Sequence, residues 1–303
     1  MKSTVFHQSI HLLEQDLLAA DDVCPFCAAT ERVLLTLLQR KPDVALVHCR
    51  RCHASSASRM PTSEALEKYY ANYYGGKDEK ITVDAPARIA LHIYKHAKFA
   101  ATRPEISILD YGGGDGSISV ELAKFFVNQG IKKVSIALID YDQSTPKSAG
   151  ENIHVRRFSD LSEIEDQSMD IVIASAVIEH VPNPRPVIDK LFGVLKVGGG
   201  FYARTPHVFP LMKLASIVNA KFDFTYPAHV HDLGAKFWNN ISDCLTGGGK
   251  YQIIRSTPSL VETSFQEHFL RTLAAYVLKI PGYVFKEQYA LVGGWEVFIR
   301  RRS

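Results

Sequence analysis

The chain has 303 residues, of which 46% are hydrophobic and 22% are charged, and its formal net charge is +3. This composition is close to that of ordinary globular proteins and excludes extensive disorder, and the small charge does not indicate binding to nucleic acid. No stretch approaches the roughly 20 apolar residues of a membrane span, and the first twenty residues lack the apolar core of a signal peptide. A cytoplasmic enzyme is therefore expected.

Four of the five cysteines form two Cys-x-x-Cys pairs near the N-terminus. They are Cys24, Cys27, Cys49 and Cys52. Two such turns can bring four thiolates to one tetrahedral zinc ion, whereas disulfides fit poorly with a chain that lacks a secretion signal. Four sulfur ligands close the coordination shell, which predicts a structural zinc in a ribbon-like module over residues 1–60. The fifth cysteine, Cys244, is interpreted as a small buried hydrophobic residue.

A connecting helix is predicted over residues 62–74, where apolar residues recur with helical spacing after Pro61. The helix carries several tyrosines, and aromatic residues at this spacing favour packing between domains over lining a substrate mouth. Residues 61–84 are therefore interpreted as a helix and linker that lead from the module into a larger domain over residues 85–303.

Residues 106–119 join a short apolar strand to a glycine-dense turn and a helical pattern. Glycine at 112, 114 and 116 lets the backbone turn tightly and approach a ligand closely. Asp110, two positions before the first of these glycines, would repel the pyrophosphate of a dinucleotide but attract the amino group and sulfonium of S-adenosylmethionine. The loop therefore predicts that S-adenosylmethionine, and not NAD, binds at Asp110, Gly112, Gly114 and Gly116.

Strands and helices alternate from about residue 85, which is typical of a parallel sheet covered on both faces. Strands are predicted at 106–110, 134–140, 154–158, 169–175 and 201–204, with helices at 117–129 and 186–195. Asp140 ends the second of these strands, where an acid accepts both ribose hydroxyls in nucleoside-binding sheets. The other predicted cofactor contacts are Tyr141, Asp160 at the adenine edge and Ser175.

The last part of the chain is predicted to close the sheet with strands at 251–265 and 289–300. An insertion at about 267–287 between them contains an apolar, lysine-edged helix that Pro281 and Gly282 are expected to end. Packing of this helix on the sheet or on a partner subunit is favoured, and peripheral contact with a membrane or a lipid-linked acceptor is the alternative.

The glycine loop, Asp140, residues 175–184 and the Leu-Lys-x-Gly-Gly turn at 195–199 follow the order found in class I S-adenosylmethionine-dependent methyltransferases. The chain resembles that family from about residue 85 to its end. The resemblance implies a Rossmann-like, seven-stranded, mostly parallel sheet with helices on both faces, and in-line transfer of the methyl group. The paired cysteines and the tyrosine-rich helix are similar to bacterial members that methylate sugars, glycan precursors or secondary metabolites. A small-molecule or carbohydrate-like acceptor, methylated on oxygen or carbon, is therefore expected.

A hydroxyl or carbon acid has to lose a proton on methylation, and histidine suits that role near neutral pH. The candidate bases are His180, His229 and His231. In the family, the Glu-His pair that contains His180 is often part of the framework of the site. Only one of the other two histidines is predicted to face the crevice, and Asp232 is expected to cap a helix over 235–245. A metal site at His229, His231 and Asp232 is disfavoured.

A second class of function is a zinc-ribbon recognition or scaffold protein whose methyltransferase-like domain binds the cofactor without catalysis. A domain that has lost catalysis is expected to show degeneration in its glycine loop. Every position of the glycine loop keeps a residue suited to cofactor binding. The enzyme is therefore the favoured interpretation.

Overall fold

The structure is a computed structural model that describes residues 11–75, 85–140, 150–217, 224–246 and 250–302, apart from 262, 264 and 267. Helices are α1 (Ser63–Gly75), α2 (Pro86–Ala97), α3 (Ser117–Asn128), α4 (Pro184–Gly193), α5 (Phe209–Ile217), α6 (Ala235–Asn239) and α7 (Phe269–Phe285). None of the helices within these ranges has both the length and the hydropathy that a membrane crossing requires.

The larger of two sheets has seven strands. In spatial order they are β10 (Lys250–Pro258), β11 (Gly293–Arg302), β8 (Leu195–His207), β7 (Met169–Ser175), β4 (Glu105–Tyr111), β5 (Lys133–Ile139) and β6 (Ile153–Arg157). Neighbours from β8 to β6 pair in parallel, and β11 pairs antiparallel with both of its neighbours. The Rossmann-like, mostly parallel sheet expected from the sequence is confirmed.

Both faces of this sheet are covered by helices, which explains the continuous apolar runs of its central strands. On one face, α2 and α3 contribute Ile93 and Phe126, both fully buried. On the other, α4 and α6 contribute Phe192 and Trp238 to a second core. The sheet therefore separates two hydrophobic cores, and its strand ends are left to carry the loops.

The smaller sheet contains β1 (Arg32–Arg40), β2 (Asp43–Cys49), β3 (Ser55–Ala57) and β9 (His231–Asp232), and all of its neighbours are antiparallel. Its fourth strand comes from the larger domain, since Ser56 of β3 pairs with His231 of β9. Phe26 is fully buried, with its ring centroid 4.7 Å from that of His231 and 4.8 Å from that of Phe237. The small sheet and its core therefore contain residues from both sides of the predicted domain limit near residue 60. That limit stays a prediction.

Pro281 and Gly282 do not end α7, as the sequence led us to expect, but lie inside it. A Cβ atom on Gly282 would lie 2.7 Å from side-chain carbons of Pro258 and Val292. This glycine is therefore required for close approach of α7 to the sheet. The helix ends instead at Phe285, followed by Lys286 in the left-handed region with φ of 50°.

Four further features differ from the predicted ones. The strand predicted at 251–265 ends at Pro258, and the one predicted at 289–300 begins at Gly293. The helix predicted over 235–245 is divided into α6 and a 3-10 turn at Ile241–Cys244. The glycine-rich turn at 195–200 lies within β8, where the pairing with β7 is irregular between Met169 and Ile171. Short elements and strand ends depend on tertiary pairing, which local pattern does not encode.

Replacing Gly282 with alanine is expected to destabilise the protein. Forcing a methyl group against Pro258 and Val292 costs about 1–3 kcal/mol, more than the roughly 1 kcal/mol that alanine gains in helix propensity. Urea unfolding measures the difference in the free energy of unfolding. Gly150→Ala is the matched control, because a Cβ atom there meets nothing within 4 Å; equal stability of the two variants would contradict the close packing of α7.

Candidate active site

The predicted cofactor residues that the structure describes follow strands of the larger sheet at one end of those strands. Strand β4 pairs in parallel with both β5 and β7, so the carboxyl ends of the three strands meet there. Ligands of open α/β sheets bind in the crevice outside these ends. The glycine loop follows β4, Asp140 follows β5, and a loop that contains Glu179 and His180 follows β7.

The glycine loop makes a tight turn, held by a hydrogen bond of 2.8 Å from the Gly112 amide to the Ile139 carbonyl. The φ angles of Gly112, Gly114 and Gly116 are 72°, 57° and 78°, a region that favours glycine. A Cβ atom on Gly112 would lie 2.4 Å from a side-chain carbon of Val177. The loop after β4 is therefore packed directly against the loop after β7.

Gly113 is a position in the glycine loop that the sequence reasoning did not single out. A Cβ atom there would lie 2.4 Å from Cγ of Asp110, so this glycine leaves room for the carboxyl group beneath the loop. The run of three glycines at 112–114 was the signal that could have identified it. Gly112 and Gly114 have positive φ angles and Gly113 does not, so the glycine at 113 needs another reason, such as close packing.

Asp110 is almost completely buried at the end of β4. Burial raises the pKa of its carboxyl to about 6, and the nearby carboxylates of Asp140 and Asp115 act in the same direction, while hydrogen bonds from Ser119 oppose the shift. The edge of the sheet thus concentrates acidic groups beneath the loop. Such an environment suits a cationic ligand and opposes a phosphate.

Asp140 stands at the end of β5, where one of its carboxylate oxygens accepts a hydrogen bond of 2.7 Å from the Gly114 amide. Arg157, from β6, donates to the Gly114 carbonyl over 2.8 Å. The middle of the loop is therefore fixed from both sides by its neighbouring strands. Arg157 was not among the residues predicted from the sequence, because nothing local relates it to the loop.

The remaining predicted cofactor contacts, Tyr141, Asp160 and Ser175, differ in where they lie. Tyr141 lies outside the described residues. Asp160 is exposed and accepts a hydrogen bond of 2.7 Å from the Ser162 amide, so that it caps a 3-10 turn and has its pKa lowered by that bond. Ser175, at the end of β7, accepts a bond of 3.0 Å from Nε of Arg204. Asp160 therefore has a local structural role whether or not a ligand is bound.

His180 and His229 come together beside the glycine loop, with ring centroids 4.7 Å apart. Nδ1 of His180 donates to the Ala228 carbonyl over 2.8 Å and lies 3.2 Å from the hydroxyl of Tyr70, in α1. Burial lowers the pKa of His180 to about 4, so its ring is neutral at physiological pH. Nδ1 of His229 lies 2.5 Å from the hydroxyl of Thr225.

Glu179 joins these two histidines and was not singled out as a candidate from the sequence. Its side chain is 1% exposed, and one of its oxygens and a ring nitrogen of each histidine lie within 4.8 Å of one another. Two imidazoles and a carboxylate form a ligand set that suits divalent transition metals. Among the described residues, two clusters have side chains placed so that they could hold a metal ion: this group and the four cysteines.

His231 is completely buried and has a different environment. Its Nδ1 lies 2.9 Å from the hydroxyl of Ser56 and its Nε2 lies 2.8 Å from the Val181 carbonyl, and burial lowers its pKa to about 3. Residues two apart on a strand share a face, but His229 precedes β9 in a turn whose amide bonds back to Thr225. The turn therefore separates the two histidines and leaves His229 beside His180.

Asp232 does not cap the helix that follows it. One of its oxygens accepts from the Val208 amide over 2.6 Å, and the other lies 3.0 Å from Nδ1 of His207 and 3.4 Å from the Phe209 amide. The carboxylate therefore holds the start of α5, because β9 lies beside the end of β8. The N-cap position of α6 is Gly234, which has no side chain to bond with.

The four paired cysteines are buried and meet in one cluster, with Sγ atoms 3.5 Å apart for Cys24 and Cys52 and 3.6 Å apart for Cys27 and Cys49. Sulfur atoms around a tetrahedral zinc, at bonds of about 2.3 Å, lie roughly 3.8 Å apart. A disulfide would need about 2.05 Å, and all four residues are free thiols. The spacing is therefore compatible with a zinc-binding module.

The two cysteine turns have the same backbone geometry. The residue after each second cysteine, Ala28 or His53, has a positive φ angle of 57° or 61° and donates its amide to the carbonyl of the first cysteine. The amides of Cys24 and Cys49 also bond to the residues five positions onward, each over 2.8 Å. Two equivalent turns that face each other form the backbone frame of a four-thiolate site.

A family model described as a methyltransferase domain matches residues 102–254. The chain belongs to the class I S-adenosylmethionine-dependent methyltransferases. The match covers the glycine loop, the Glu-His pair, His229 and β9, so every candidate site residue outside the cysteine module falls within this methyltransferase domain.

Curated relatives of the methyltransferase domain include two ubiquinone biosynthesis O-methyltransferases. The protein from Hahella chejuensis (strain KCTC 2396) is 30% identical over 128 residues, which are 40% of this chain and 52% of that protein. The mitochondrial protein from Dictyostelium discoideum is 28% identical over 131 residues, which are 39% of this chain and 41% of that protein. The chain spans about half the length of the curated relatives it matches.

Solved structures similar to this methyltransferase include an S-adenosylmethionine-dependent methyltransferase from Archaeoglobus fulgidus, with 13% identity and a TM-score of 0.42, covering 78% of this chain and 99% of that one. The plantazolicin methyltransferase BpumL, solved in complex with SAH, has 14% identity and a TM-score of 0.47, covering 79% of this chain and 90% of that one.

A Cys24→Ser variant is expected to lose one equivalent of zinc per chain. It should also lose more than about 4 kcal/mol of stability, because a metal that binds only the folded state contributes its binding energy to folding. Metal analysis of the purified protein and thermal unfolding measure the two effects. Cys244→Ser is the matched control: Cys244 lies beside Cys52 but belongs to neither pair, so loss of zinc in that variant would contradict the assignment of the ligands.

Proposed function

We propose that this methyltransferase transfers the methyl group of S-adenosylmethionine to a hydroxyl oxygen of a small-molecule or carbohydrate-like acceptor. The observation that carries the proposal is the contact between the two loops, in which Gly112 of the cofactor loop packs on Val177, three residues before His180. This contact supports a placement of the histidine pair close to the donor site. Methylation of an acidic carbon is the alternative outcome at the same place.

The donor would be bound through its charges and its ribose. Asp110 beneath the loop would attract the amino group, and the glycines would allow the ligand to lie against the backbone. Asp140 would accept the ribose hydroxyls, since it stands at the strand end where nucleoside-binding sheets place that acid. Ser175 and Asp160 border the same edge, and together with Tyr141 they remain predicted contacts.

Transfer itself requires little chemistry from the protein. The sulfonium is a strong electrophile, so the site has to align the acceptor oxygen with the methyl carbon and the departing sulfur, and to exclude water. The acceptor must also lose its proton. His180 and His229 stand on the acceptor side of the glycine loop, with Tyr70 against His180, and we assign them to the handling of the acceptor hydroxyl.

The relatives support oxygen as the atom methylated, because both are named as O-methyltransferases. They match only 40% and 39% of this chain. The proposed acceptor side of this chain includes α1 and strands β1 to β3 of the smaller sheet, which come from outside the matched family domain. We therefore propose a small hydroxylated acceptor, with quinols, sugars and glycan precursors as the compounds to test first.

The zinc is proposed to be structural, because four thiolate ligands leave no position open for water or substrate. The cysteines share a hydrophobic core with Phe237 and Trp238 of the larger domain. A zinc bound there would hold residues 1–60 as a module against the methyltransferase domain over residues 85–303. The zinc would contribute to catalysis only by holding the residues on the acceptor side in position.

The affinity for S-adenosylmethionine is expected to fall below about pH 6. The charged carboxylate of Asp110 attracts the ligand, and protonation removes that charge, so the affinity should decrease by about tenfold for each pH unit below the pKa. Isothermal titration between pH 5 and pH 7.5 measures the slope. Asp110→Asn should bind more weakly at pH 7.5 and lack the slope, whereas Asp166→Asn, at an exposed site, should behave like the wild type; a slope that persists in Asp110→Asn would show that another group titrates.

Methyl transfer can be detected with tritiated S-adenosylmethionine and a panel of phenols, quinols, sugar nucleotides and peptides. We expect incorporation into a hydroxylated small molecule, with a reduction of kcat by about 10²–10⁴ in His229→Gln and little change in donor affinity. Donor binding without transfer to any acceptor would favour the scaffold alternative, and a well-folded protein that fails to bind the donor would rule out the proposal.

A further inference from the structure

We propose that Glu179, His180 and His229 form a binding site for a divalent transition-metal cation, separate from the cysteine cluster, and that this cation holds the acceptor oxygen. The second part rests on the proposed function, and the first stands on the geometry alone. The three side chains are brought together from the loop after β7 and the turn before β9, and one ligand atom of each lies within 4.8 Å of the others.

The composition of the cluster matches a cation of the zinc type. Imidazole nitrogen suits zinc, cobalt and iron, and a single carboxylate adds the negative charge that offsets part of the charge of the ion. Ligand atoms at about 2.1 Å from one tetrahedral ion lie roughly 3.4 Å apart. Binding would therefore draw the three ligand atoms together by at most about 1.4 Å and would leave a fourth position open.

Hydrogen bonds fix the tautomer of His180. Its Nδ1 faces the Ala228 carbonyl at 2.8 Å, and a carbonyl can only accept, so the proton of the neutral ring is on Nδ1. The lone pair is then on Nε2. A ligating histidine commonly donates its other ring nitrogen to a backbone carbonyl in this manner.

His229 is also held at Nδ1, which lies 2.5 Å from the hydroxyl of Thr225. If this hydroxyl accepts the proton of Nδ1, the lone pair of the ring is on Nε2, as it is in His180. Both rings are thus held at Nδ1 by a neighbouring group, which is the arrangement expected of histidines that bind a metal through Nε2.

The backbone around the cluster holds the ligands in place. The Val230 amide donates to the Glu179 carbonyl over 2.8 Å, so that the residue after His229 is joined to the residue before His180. The Val230 carbonyl accepts from Ala57 at the end of β3 over 2.8 Å. A site whose ligands are fixed by backbone pairing loses little conformational entropy on binding a metal.

A cation here would account for how the acceptor loses its proton. Hydroxide on the open position would take the hydroxyl proton and leave as water, and the deprotonated acceptor oxygen would replace it on the cation. An oxygen–carbon bond then forms to the methyl group as the sulfur–carbon bond breaks. The electron pair of the broken bond stays on sulfur, which leaves as an uncharged thioether.

The site can be tested with cobalt(II), added to protein whose cysteine cluster is loaded with zinc. Nitrogen and oxygen ligands give visible d–d absorption, whereas cobalt that displaces zinc from the cysteines also gives an intense thiolate charge-transfer band in the near ultraviolet. We expect one equivalent to bind without that band. The affinity should fall by at least about tenfold in Glu179→Gln and in His229→Gln. His154→Gln, a change of an exposed histidine on β6, should match the wild type.

The absence of cobalt binding in the wild type, or equal binding in all four proteins, would overturn the proposal. Thermal unfolding and isothermal titration with S-adenosylmethionine on the same samples establish that each variant is folded. A protein that binds the donor but not cobalt would contradict only the metal site. One that binds cobalt as expected but not the donor would contradict only the proposed function.

Discussion

The side chain of His231 joins three parts of the molecule that are far apart in the sequence. Through Nδ1 it contacts Ser56 of the smaller sheet, through Nε2 it contacts the carbonyl of Val181 in the loop after β7, and it lies on β9 itself. Because the ring is completely buried and both nitrogens are engaged, moving any one of the three parts would leave a polar atom unpaired in the interior. The relative positions of His180 and His229 depend on this connection.

The larger sheet could be predicted almost strand by strand. A strand buried on both faces is a continuous apolar run, and the run at 169–175 coincides with β7. The turn chemistry of the donor loop was equally readable, because Gly112, Gly114 and Gly116 occupy φ angles that other residues avoid. The contact between the two cysteine pairs was predictable for a different reason. Each Cys-x-x-Cys turn supplies two sulfur ligands, and a tetrahedral ion requires four, so the two turns are expected to meet.

The acceptor side could not be predicted because its contacts join residues without a common local pattern. Asp232 bonds to the Val208 amide 24 residues away, and His180 to the Ala228 carbonyl 48 residues away. Periodicity indicates which face of an element is buried, and it does not indicate which residue lies opposite. Gly282 shows the same limit, since its lack of a side chain serves a close approach to Pro258 and Val292 and not the end of a helix.

The proposed donor and acceptor sides thus depend on different parts of the fold. Asp110 and Asp140 are positioned by the neighbouring parallel strands β4 and β5, and Asp140 accepts a hydrogen bond from the Gly114 amide. His229, on the proposed acceptor side, precedes β9, which pairs with β3 of the smaller sheet. We therefore expect a change in the cysteine module to affect the acceptor side, through β9, before it affects the donor side. This separation permits one donor site to serve chains with different acceptor walls.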